Sequence, residues 1–110
     1  MTVLVPEEFR FLVDDFGFRE HRAEAWAGGL EVTWKHPKAG TALRLLVDPD
    51  GGSEALLGRL DRGGRVRPLD RDTIDHDWVL LGPPAPLELT ARNLRSYGRR
   101  LLDPGRFFHG

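Results

Sequence analysis

Apolar positions along this chain run first at a helical period, then at a period of two, then at a helical period again. Phe9, Leu12, Val13 and Phe16 fall at the i, i+3, i+4, i+7 spacing of one helical face. This predicts an amphipathic helix opening at Pro6, where a missing N–H costs nothing. Glu7 and Glu8 sit at its positive end, Gly17 is its left-handed stop, and Phe18 folds back on the last turn. Alternation then takes over. Leu30, Val32 and Trp34 oppose Glu31, Thr33 and Lys35; Leu43, Leu45 and Val47 oppose Arg44; Leu56, Gly58 and Leu60 oppose Ala55, Leu57 and Arg59. A more charged piece precedes these, Phe18 to Trp26, with Phe18, Glu20, Arg22, Glu24 and Trp26 on one side.

Three clusters cut this stretch into four strands: Ala27-Gly28-Gly29, His36 to Gly40, and Asp48 to Gly52. Such short connections allow only antiparallel neighbours, because a parallel crossover needs about a dozen residues. Residues 71–81 read as either a short helix or a strand; Ile74 and Trp78 at i, i+4, with Asp72 as N-cap, favour the helix. Gly82-Pro83-Pro84-Ala85-Pro86 then resets the chain direction. The final helix, 87–102, aligns Leu87, Ala91, Leu94, Gly98 and Leu101 on one face and Arg92, Arg95, Arg99 and Arg100 on the other. The expected fold is a single α+β domain over residues 1–110. It has a four-stranded antiparallel meander, N- and C-terminal helices on one face, and the other face partly exposed.

Composition narrows the function classes more than it names one. At 110 residues the chain closes one core but cannot build two lobes around a cleft. It has no cysteine, which removes thiol nucleophiles, thiolate metal cages and disulfides, and fits a cytoplasmic address. No apolar run approaches the ~18 residues of a membrane span, and no cofactor motif is present. The glycine pairs lack the strand-then-helix setting of a phosphate loop, and Ser53 and Ser96 sit outside a nucleophile elbow. Asp48 to Glu54 has the acids of a calcium loop, but glycine and serine occupy its fifth and sixth positions, so it reads as a hairpin.

Two clusters carry candidate chemistry. Asp72, Asp75, His76 and Asp77 gather carboxylates around an imidazole, the residue types that bind hard metals or move protons. Arg92, Arg95, Arg99 and Arg100 make a guanidinium stripe suited to carboxylates or phosphates. The net charge of -1 hides an asymmetry, with +3 over residues 87–110 and -4 over the rest. No aromatic is interleaved with the stripe for base stacking, so a protein partner is favoured over a nucleic acid. An exposed sheet face, or Phe107-Phe108, offers a route to a homodimer.

Phe11-Leu12-Val13-Asp14-Asp15-Phe16-Gly17-Phe18, together with the closing helix and Leu102-Asp103-Pro104-Gly105-Arg106-Phe107, resembles a group of small bacterial domains of unknown function. Several of that group are thought to be immunity or accessory proteins of toxin systems. The resemblance implies a non-catalytic interaction role and supplies no catalytic residues. A small metal-dependent hydrolase built on residues 70–77, and nucleic-acid binding through the last helix, are the alternatives.

Overall fold

In the computed structural model, which describes residues 5–69 and 77–108, the alternating segments form an antiparallel sheet in an α+β domain. Strands β1 (Arg19–Trp26), β2 (Gly29–His36), β3 (Thr41–Val47) and β4 (Gly52–Arg59) are successive hairpins. They sit where the period-two pattern places them. Two further strands extend the predicted four. β5 (Trp78–Leu80) pairs with β4 at Leu56 to Gly58, and β6 (Ala85–Pro86) pairs with β4 at Gly52 and Ser53. A proline belongs in a strand only where its missing donor faces no neighbour, and β6 is such an edge.

Cross-strand register explains the core. Val32, Leu45 and Ala55 stand in one row, and Trp34, Leu43, Leu57 and Val79 in the next, all on the face that the helices cover. Ala91 and Leu94 of α2 (Leu87–Tyr97) and Leu101 close over this face, joined by Phe9, Phe11 and Leu12 from the N-terminal segment. The Phe9 ring stacks on Trp34 with centroids 5.9 Å apart.

The N-terminal helix departs from its expected phase. A 3-10 turn, Glu7–Phe9, precedes a single α-helical turn, α1 (Phe11–Asp14). The tighter 3-10 winding rotates the later positions, so Phe11 is buried and Val13, predicted in the core, is 44% exposed. The stop is as expected: Gly17 takes φ +78°, and the Phe18 N–H returns to the Leu12 carbonyl at 2.9 Å.

β1 is also rephased. Its register with β2 slips between Glu20 and Arg22, a β-bulge at His21. Glu20 therefore shares the helix-covered side with Ala23 and Ala25, while Arg22, Glu24 and Trp26 lie on the opposite side. Strict alternation would have kept Glu20 with Arg22.

Among the described residues, the opposite face carries an apolar cover at one end. Trp78, Leu56 and Ala42 form a second cluster there, sealed by Leu60, Val66 and Leu69 from the loop after β4. That loop is tied by Asp61, whose carboxylate accepts the N–H groups of Gly63 and Arg65, both at 2.9 Å. The bond from Arg65, aided by that from Gly63, holds the Asp61 carboxyl below its ordinary pKa. Trp78, expected on a helix, begins β5 instead, with its indole N–H donating to the Pro68 carbonyl. Residues 70–76 lie outside the described residues.

Ser53, assigned to a turn by the sequence, is a buried strand residue. Its hydroxyl lies 2.7 Å from that of Thr90 and 2.9 Å from the Ala85 carbonyl, joining β4, β6 and α2. Ser53→Ala removes one partner and leaves buried oxygen atoms short of a donor. We expect a loss of about 1–3 kcal/mol in chemical denaturation, and a variant as stable as wild type would show that the bond contributes nothing.

Candidate functional site

The guanidinium stripe is real but divided. α2 turns Thr90, Ala91 and Leu94 inward, which leaves Arg92 and Arg95 exposed on its outer side. It ends at Tyr97, because Gly98 adopts φ +57° and ψ -136°. The chain continues as a 3-10 segment, Gly98–Leu102, so the predicted helix to residue 102 is broken before Arg99 and Arg100. A glycine at a core-facing helical spacing looks like any other small packed residue, yet here it supplies a conformation that side chains resist.

Two of the four arginines are engaged by their own chain. The Arg100 Nε donates to the Tyr97 carbonyl at 3.1 Å and its Nη2 to that of Ser96 at 3.3 Å, with the guanidinium 5.0 Å from the Tyr97 ring. It thereby satisfies carbonyls that the helix end leaves open. Arg95 lies 4.7 Å over the Phe11 ring, a cation–π contact fastening α2 to α1. Arg92 and Arg95, with Glu8 and Ala91, line a shallow groove of about 320 Å³.

Charge pairing divides the arginines, and Arg19, Arg59, Arg62 and Arg65 form no ion pair among the described residues. Arg10, Arg22, Arg44, Arg67 and Arg106 each have a carboxylate, respectively Asp14, Glu24, Glu31, Asp77 and Asp103. Among the described residues, no carboxylate pairs with Arg92, Arg95, Arg99 or Arg100, all of them exposed. Arg92 and Arg99 make no hydrogen bond or ring contact with the described residues either.

Of the metal candidates, Asp72, Asp75 and His76 lie outside the described residues. Asp77 is described: one oxygen is 3.6 Å from the Arg67 guanidinium in a half-buried pair. Among the described residues no three His, Asp or Glu side chains gather to hold a metal ion. Asp48 to Gly52 forms the expected hairpin turn, in which the Gly52 N–H donates to Asp50. Phe107 packs against Tyr97 and Phe108 lies under Arg59, so both rings are used within the chain.

The charged sheet face, which the alternation of the sequence offers as a second surface for a partner, gathers a group whose pairing the spacing does not show. Arg44 spans toward Glu31 at 3.2 Å and lies 4.5 Å from the Trp78 ring, flanked by Arg22, Glu24 and Thr33. Burial lowers its pKa, and Glu31 opposes that shift. The enclosed space is only about 50 Å³, so this group acts as an ion network rather than a ligand pocket. A larger cavity of about 460 Å³ opens between the N-terminal segment and β1, with Trp34 on its floor and Glu7, Asp14 and Glu20 around it.

Among the described residues, no helix is long and apolar enough to cross a membrane. No protein-family model, curated protein or solved structure matches the chain.

Proposed function

We propose that this chain is a non-catalytic protein-interaction module, a cytoplasmic α-β4-α domain of the immunity or accessory type with two small added strands. It presents Arg92 and Arg99, with the groove beside Arg95, to a carboxylate-rich partner protein. The observation that supports this reading is a concentration of charge: four exposed guanidiniums fall within residues 92–100, and none of them is matched to an acid among the described residues. Exposed charges of one sign steer encounter and select a partner of opposite sign. Arginine adds a planar fork that meets a carboxylate with two bonds. Arg95 and Arg100, already fastened, hold that end of the molecule in place for the other two.

Arg92→Glu with Arg99→Glu tests it, since neither side chain bonds to or stacks on the described residues. Crosslinking and affinity capture from the native host, compared by quantitative mass spectrometry, should recover a partner with wild type. The double variant should recover it about tenfold less or worse, while its melting stays unchanged. Equal recovery overturns the assignment. Recovery of nucleic acid in its place, with affinity falling steeply as salt rises, would replace the protein partner with a phosphate backbone.

A further inference from the structure

Among the described residues β1 is an edge strand, eight residues long and exposed along nearly its whole length. Its backbone polarity follows from the turn that joins it to β2. Trp26 and Gly29 flank a two-residue connection, and the closing pair of such a turn is hydrogen-bonded. Antiparallel pairs alternate, so Glu24 with Glu31 and Arg22 with Thr33 are hydrogen-bonded as well. Ala23 and Ala25 therefore direct their N–H and C=O groups away from β2, to the free edge.

The geometry points to a second copy of this chain as the occupant of that edge, paired antiparallel about a two-fold axis at Ala23. An isologous contact places residue i opposite residue j twice over. About Ala23, each copy's alanine exchanges both backbone bonds with the other's. Arg22 then stands directly opposite the second copy's Glu24, and Glu24 opposite the second copy's Arg22. These are non-hydrogen-bonded positions, where facing side chains come closest and opposite charges stabilise the pair. The reach is already present, because Arg22 and Glu24 form an ion pair within one chain. Moving the axis to Glu24 would set glutamate against glutamate.

Charges along an edge normally discourage strand addition. Here their order, Arg22-Ala23-Glu24, is self-complementary, and it rejects strands with another pattern. Two further features fit. The helix-facing side of β1 bears only Ala23 and Ala25 beyond Glu20, beside the exposed Val13, so no bulky side chain stands in the way. The bulge at His21 ends the regular ladder, which keeps the contact short and closed. So short an interface belongs to the weak, concentration-dependent class. It is separate from the arginine face, and either can fail without the other.

Sedimentation equilibrium from micromolar to low-millimolar protein reads the association directly. Wild type should pass from monomer to dimer with rising concentration; a monomer throughout overturns the proposal. R22E sets a second carboxylate against Glu24, and E24R sets a second guanidinium against Arg22, so each variant alone should stay monomeric. Mixed in equal amounts the two should form a heterodimer, because every facing pair is then of opposite sign. A23P removes the outward donor without touching a bond to β2 and should also abolish the dimer. Self-association of R22E or E24R at the wild-type level, or no heterodimer on mixing, would place the contact elsewhere.

Discussion

Trp34→Ala should cost about 3–5 kcal/mol, the range for removing a large buried aromatic. A domain of this size has about 5–15 kcal/mol in total, so a large share of its stability is at stake. Trp34 is 2% exposed, stacks on Phe9 and faces Leu43 across the sheet. Its loss opens a void where the N-terminal segment meets the sheet. The segment cannot collapse into it freely, because Phe11 and Leu12 are committed to the same cluster. Urea denaturation followed by far-ultraviolet circular dichroism measures the effect. A change below about 1 kcal/mol, the level of ordinary surface substitutions or little more, would mean that the ring does not hold the two layers together.

The second large effect concerns a glycine and the ring beside it. Gly58 and Trp78 are cross-strand partners, and a Cβ built on Gly58 would lie 2.7 Å from the indole. The ring covers the bare glycine backbone, a pairing that restores packing a glycine otherwise lacks. Gly58→Ala forces the ring aside and should cost about 1–3 kcal/mol as overpacking. Trp78→Ala removes the centre of the second cluster and should cost about 3–5 kcal/mol. The double variant should be less damaging than the two together, because the added methyl then enters the space left by the indole. Simple additivity in the denaturation series would show that the two residues do not share that space.

What could be read before the structure follows from length and period. β2, β3 and β4 each run for seven or eight residues with a buried face, long enough for alternation to stand out. β5 and β6, of three and two residues, show no period at all, and Pro86 argues against a strand. The bulge at His21 is hidden because β1 is exposed on both sides and so carries no apolar face to betray its phase. At the site, the positions of Arg92, Arg95, Arg99 and Arg100 are legible from spacing. Their division is not: the break at Gly98 is a matter of backbone angle, and the fastening of Arg95 depends on Phe11, at the other end of the chain.

The outer edge of β4 has a consequence for the order in which the molecule assembles. The first three hairpins close over connections of two to four residues, so forming them loses little loop entropy. β4 finds its remaining neighbours only in residues 78–86, with Ser53 reaching Ala85 across 32 positions. Leu94 and Leu101 arrive later still to cover the sheet. Such non-local closure sets the slow part of folding. A nascent chain thus carries a finished hairpin ladder, open along the outer margin of β4 and only part-covered on its greasy side, until residues 78–101 have been made.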